Sequence, residues 1–169
     1  MKTKQLLIFF IGLLIIFYSC KKENSPSSSN TKTPADSTGN SQPLMLQLVN
    51  NVRAKGCKCG EDNMPPVNPL TWNTLLAQAA LAHSHDMNVN NYFSHTGLDG
   101  STPGDRITKA GYIWKSYGEN IAWNYPDEQT VMNAWLQSEG HCKNIMDADF
   151  KEMGSGHDGA YWTQDFGSR

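Results

Sequence analysis

The chain of 169 residues lacks any apolar run long enough to cross a membrane as a helix. Its one sustained hydrophobic stretch, residues 6–18, follows Lys2 and Lys4 and falls short of the ~20 residues a bilayer demands, which is the layout of a signal peptide. It also lacks a basic block. Without Lys2 and Lys4 the formal charge goes from −2 to −4, and no nucleic acid is expected as a partner, because neutralising phosphates needs clustered Lys and Arg. There is no internal repeat and no Gly-x-Ser-x-Gly nucleophile elbow. Between residues 21 and 42 nothing apolar is larger than Ala35. Such a segment cannot bury enough surface to offset its ordering entropy, so residues 20–42 read as a disordered Ser/Thr/Pro-rich tether.

Cysteine is scarce but informative. Cys20 follows Ser19 directly after the apolar run, an arrangement similar to the bacterial lipoprotein box. On that reading residues 1–19 are a lipoprotein signal peptide and Cys20 is the lipidation site. An ordinary secretory signal or an uncleaved anchor is the other reading. An acylated Cys20 implies an exported protein held to the outer membrane, periplasmic or at the cell surface, with the membrane as its first partner. Cys57, Cys59 and Cys142 then sit in an oxidising compartment, which favours a disulfide. Cys57 and Cys59 are too close in sequence to pair comfortably, so Cys142 is expected to bond Cys57 or Cys59. Closing a loop of roughly 85 residues would contribute on the order of 4 kcal/mol in the chain-entropy model. A zinc cluster of the same cysteines is the alternative, although no structural zinc spacing is matched.

One domain is expected, over residues 43–169. Leu44, Leu48, Val49 and Val52 recur at helical spacing ahead of Gly56, predicting a helix over 43–55. Residues 60–69 read as a proline-rich loop. Asn73 or Thr71 caps a long helix reaching residue 91, with Leu76, Ala80, His83 and Met87 on one face. Thr102-Pro103 with Asp105 starts another helix, ended by Gly111. Residues 112–118 read as extended. A further helix begins near Asp127 and ends with Gly140 as its C-cap, which would set His141 at a sharp reversal. Asp158-Gly159 marks a hairpin between 150–157 and 160–166. The sum is an α+β fold, with helices on a small antiparallel sheet.

The segments Asn91-Tyr-Phe-Ser-His95, Gly118-Glu-Asn-Ile-Ala122 and Trp135-x-x-Ser-x-Gly-His-x-x-Asn-Ile-Met146 occur in that order. Together they resemble the bacterial branch of the CAP superfamily, which also holds cysteine-rich secretory proteins, antigen 5 and plant pathogenesis-related 1 proteins. The resemblance covers about residues 44–166. It implies an α-β-α sandwich with about four helices around the sheet, and a cleft that in better-studied branches carries two histidines and two glutamates and, in some members, a divalent metal. By motif, His95 and His141 match the histidines and Glu119 the first glutamate. Ser138 falls where the second glutamate would be, as is usual in the bacterial branch, and Glu139 is displaced by one residue. One residue turns a helical side chain by about 100 degrees, so Glu139 is expected to point away.

The candidate cleft is therefore His95, Glu119, Ser138 and His141, with His95 and His141 the candidate ligands for zinc. Three functional readings compete. The first is a binding or interaction module, taking a divalent metal, an apolar small molecule or an envelope or host protein. The second is a zinc-assisted hydrolase of the cell envelope, with Glu119 as base and His141 beside it. The third is an inert structural domain whose polar network holds loops to the sheet. The balance leans away from an enzyme. His83 is expected to be a satisfied core histidine, and Ser138 to bond backbone at the helix end. Trp123 and Tyr125 are candidate walls of an apolar or sugar-binding groove. A monomer is expected.

Overall fold

A computed structural model of the chain describes residues 42–169. The expected signal peptide, the lipidation site Cys20 and the tether lie outside the described residues, apart from Gln42 at the tether's end.

Local chemistry sets most helix starts. Helix α1 (Leu44–Arg53) follows Pro43 and buries Met45, Leu46, Val49 and Arg53 along one stripe. Helix α2 (Thr74–Asn90) is capped by the Asn73 side chain, which accepts from the Leu75 and Leu76 amides at 2.9 and 3.3 Å. It stops at Asn91, whose φ of 52° is left-handed. Helix α3 (Pro103–Lys109) starts with a capping box between Thr102 and Asp105. Asp127 caps helix α4 (Glu128–Gln137) by accepting from the Thr130 amide at 2.8 Å.

The end of α4 departs from expectation. Gly140 is not the C-cap, and it has no positive φ. The chain breaks instead at Ser138, extended at φ −97° and ψ 120°, and a separate helix α5 (Glu139–Met146) begins there. His141 thus sits in the first turn of α5 rather than at a reversal. The break re-aims the chain so that Cys142, Ile145 and Met146 enter the core.

Strands β1 (Cys57–Cys59) and β2 (Asp62–Met64) form a small antiparallel hairpin, so part of the expected 60–69 loop is strand. The main sheet has the order β3-β5-β6-β4. Strand β3 (Thr71–Trp72) runs parallel to β5 (Glu152–Asp158), which turns at Gly159 (φ 59°) into antiparallel β6 (Tyr161–Ser168). Strand β4 (Ser116–Trp123) pairs antiparallel with β6 and forms the edge.

Side-chain alternation along the strands separates two faces. Trp162 and Phe166 of β6 and Met153 of β5 join the apolar core with α1, α4 and α5. Thr163 and Asp165 face the other way, where the Thr163 hydroxyl meets Ser84 of α2 at 2.8 Å. Helix α2 can lie on that face because β5 presents Gly154 and Gly156 to it. A Cβ at either would collide with α2 backbone at Ala77 or Leu81. The result is an α+β sandwich, with α2 and α3 over one face and α1, α4 and α5 over the other. The Cys59–Cys142 disulfide ties β1 to α5, and among the described residues Cys57 is the free cysteine.

Candidate functional site

Edge strand β4 carries the Glu119-Asn120 step, and alternation sends these neighbours to opposite faces. On the α2 face, Glu119 Oε1 accepts from His95 Nδ1 at 2.7 Å and Oε2 accepts from Arg106 Nη2 at 2.7 Å. The glutamate side chain is 2% exposed, so its charge is balanced by contact rather than by water. Arg106 also donates to the carbonyls of His95, at 2.9 Å, and Ser101, at 3.1 Å. One guanidinium therefore holds both the His95 backbone and the carboxylate that orients its ring. With Nδ1 donating to Glu119, the Nε2 lone pair of His95 is left free on a side chain that is 50% exposed.

Two buried groups complete this face. His83 donates Nε2 to the Ser94 carbonyl at 2.9 Å and lies 4.0 Å from Glu119 Oε1. Burial lowers its pKa, which keeps the ring neutral. Asp165 of β6 stands directly across from Glu119 in the strand pair and is 1% exposed. Burial first, and the facing Glu119 carboxylate second, push Asp165 well above the ordinary aspartate value and toward the protonated form.

On the other face Asn120 anchors α5. Its Nδ2 donates to the His141 carbonyl and to Gln164 Oε1, both at 3.2 Å, while Asn144 Nδ2 donates to Asn120 Oδ1 at 2.9 Å and to the Glu119 carbonyl at 3.2 Å. This lattice presents the His141 ring at the sheet edge, half-buried. Burial and then the electrostatic effect of His95 lower the His141 pKa, favouring the neutral, ligating form. Ser138 and His141 share a pocket of about 360 Å3 with Phe93, Trp123, Tyr125 and Trp135.

His95 and Glu119 thus lie on one side of β4, and His141 and Ser138 line a pocket on the other. Glu139 points outward and pairs with Lys143 at 2.7 Å. The expected backbone bond from Ser138 is absent among the described residues: its hydroxyl makes no capping contact at the start of α5, and the residue lines the pocket instead. His83 of α2 is buried as expected, but it is only half satisfied, since Nε2 is bonded and Nδ1 has no partner among the described residues, and its Nε2 lies 4.0 Å from Glu119. Sequence reasoning missed Arg106 and Asp165. Arg106 lies one turn inside a helix whose start was legible, but nothing local says what it reaches. Asp165 was a carboxylate in a strand with buried neighbours, an odd placement that is itself a signal. Among the described residues, the three or more ligating side chains that converge within 4.8 Å are Cys57, Cys59 and Cys142, not the histidines.

Residues 46–166 match the family model for CAP, the cysteine-rich secretory protein family. An uncharacterized membrane protein of Bacillus subtilis (strain 168), YlbC, is 36% identical over 126 residues, covering 75% of this chain and 34% of that protein. An extracellular protein containing an SCP domain, from Bacillus anthracis, superposes with a TM-score of 0.67 at 33% identity, over 74% of this chain and 39% of that one. An outer surface protein of Borrelia burgdorferi shares the fold, with a TM-score of 0.64 at 23% identity, over 75% of this chain and 90% of that one. The chain therefore spans little more than a third of the two Bacillus proteins, at 34% and 39% of their lengths.

Proposed function

This chain belongs to the cysteine-rich secretory protein (CAP) family, and from that premise we propose that it is an exported, lipid-anchored binding module whose ligand site lies across the edge of β4. The observation that carries the reading is the Arg106–Glu119–His95 chain, which orients a histidine that is otherwise free. A carboxylate bonded to one ring nitrogen while the other faces outward is the arrangement that prepares a histidine for a metal.

The donor set fits a divalent ion such as zinc. His95 Nε2 is bare and the His141 ring is favoured in its neutral form, so these two residues would hold the ion as an open two-nitrogen site. Such an ion would act as a Lewis acid toward an oxygen or nitrogen ligand. Glu119 is the orienting group there rather than a ligand. The same fact weighs against the zinc-assisted hydrolase. A general base needs access to the water it deprotonates, whereas Glu119 is buried with both oxygens engaged. The pocket beside His141 suits an apolar group, since Phe93 and Trp123 stand at its rim 53% and 55% exposed.

Zinc titration calorimetry tests this on the native protein and on the His95→Ala, His141→Ala double variant, with folding followed by circular dichroism. Stoichiometric binding in the native protein that disappears in the folded variant is the expected result. No heat from the native protein near neutral pH would remove the metal site and leave the apolar pocket as the binding surface to screen.

A further inference from the structure

Three sulfurs meet where β1 packs on α5. Cys57 and Cys59 are two apart on one strand and so point to the same side of the hairpin. Cys59 and Cys142 form the disulfide and are both 0% exposed. Cys57 is half-buried, with its Sγ 3.6 Å from Cys142 Sγ and 3.8 Å from Cys59 Sγ. These separations are van der Waals contact, so the free thiol lies against both sulfurs of the disulfide.

We propose that Cys57 is an exchanging thiol and that the domain has two disulfide isomers, Cys59–Cys142 and Cys57–Cys142. The Cys57 thiolate attacks Cys142 Sγ. A Cys57–Cys142 bond forms as the Cys59–Cys142 bond breaks, and the electron pair leaves on Cys59, which takes up the proton that Cys57 released. The step is redox-neutral. Its two nearly equal contact distances put the thiol beside the bond, so the Cys57 side chain swings behind Cys142 before in-line attack. The reaction is slow near neutral pH, because burial raises the Cys57 thiol above its ordinary value. The neighbouring cations do not offset this. Lys143 of α5 is held by Asp62 of β2 at 2.8 Å and Glu139 of α5 at 2.7 Å, and Lys58 of β1 pairs with Glu61 at 3.2 Å.

Exchange moves the free thiol between two environments. In one isomer it is Cys57, within reach of an external thiol or disulfide; in the other it is Cys59, sealed in the core. The disulfide is inaccessible to reductants except through Cys57, which makes that residue the redox entry point of the domain. Cys142 also follows His141 in the first turns of α5, so a change of anchor by two residues along β1 acts on the helix that presents His141 to the cleft.

Lys58 lies between the two cysteines, so trypsin places Cys57 and Cys59 in different peptides. The oxidised protein is incubated at mildly alkaline pH, quenched in acid to stop exchange, unfolded in guanidinium and alkylated with N-ethylmaleimide before digestion without reduction. The expected result is maleimide on both the Cys57 and the Cys59 peptides, each matched by Cys142 linked to the other. Cys59→Ser is expected to oxidise to a Cys57–Cys142 disulfide with no alkylated cysteine in the domain. Maleimide confined to Cys57 in the native protein overturns the proposal. So does a folded Cys59→Ser protein, checked by circular dichroism, that carries maleimide on both Cys57 and Cys142.

Discussion

The two faces of the central sheet solve different problems with the same strands. Toward α1, α4 and α5 lies the larger apolar core, where Trp135, Met146, Phe166 and the Cys59–Cys142 disulfide are all buried. Toward α2 and α3 the apolar cluster shrinks to Leu76, Ala79, Ile107 and Tyr112, and the buried polar groups are His83 of α2, Glu119 of β4 and Asp165 of β6. Each face also has its own arginine. Arg53, fully buried, donates to the carbonyls of Asn68, Ile145 and Asp147 at 2.8 Å and forms no ion pair among the described residues. Arg106 has the same kind of carbonyl partners and adds the Glu119 carboxylate. The first closes loops over a core. The second uses that closure to aim a histidine. Consecutive residues of one edge strand, Glu119 and Asn120, serve the two faces separately, which lets a stable core and a buried charged site share a backbone.

This contrast can be broken from either side. The largest effect belongs to the apolar face. Trp135→Ala empties the core centre and strands the Ile121 carbonyl, which accepts from Trp135 Nε1 at 3.1 Å, and is expected to cost about 3–5 kcal/mol in urea unfolding. On the charged face Glu119→Gln is expected to cost about 2–3 kcal/mol, because Arg106 loses its counter-charge while keeping its carbonyls. That variant should also abolish zinc binding although it removes no ligand. An unchanged affinity in folded Glu119→Gln would mean that His95 needs no orienting.

The smallest effect is the most diagnostic. Asp165 has a folded pKa above its ordinary value of 3.8. Its contribution is therefore fully present below that ordinary value and is lost as pH rises through the raised folded value. Asp165→Asn keeps the shape and removes the titration. The variant should match the native protein in acid and become relatively more stable as pH rises, read as diverging melting temperatures. Parallel pH profiles would show that Asp165 carries no raised pKa.

Helix starts were legible because they depend on neighbours within a turn. Asn73, the Thr102 and Asp105 pair and Asp127 cap the helices they announce, and the expected hairpin forms one residue later than Asp158-Gly159, with Gly159 and Ala160 in the turn. The break at Ser138 was not legible. Gly140 is the residue whose intrinsic freedom favours a helix end, but the need to bury Cys142 and Ile145 moved the break two residues earlier. The motif histidines and Glu119 could be singled out as candidates. Their arrangement around an edge strand, and the arginine behind them, could not.

What the sequence determined alone is the family, the starts of α2, α3 and α4 and which polar residues stand among small or apolar neighbours, since these follow from local dihedral preference, periodicity and motif. Tertiary structure decided that Cys59 rather than Cys57 bonds Cys142, that Arg106 reaches Glu119, and that Asp165 lies across from Glu119. The reason is register. The β4–β6 pairing joins segments far apart in the chain, and a slip of one residue would send Asp165 to the other face. Only the summed packing of both faces selects the register that brings these groups together.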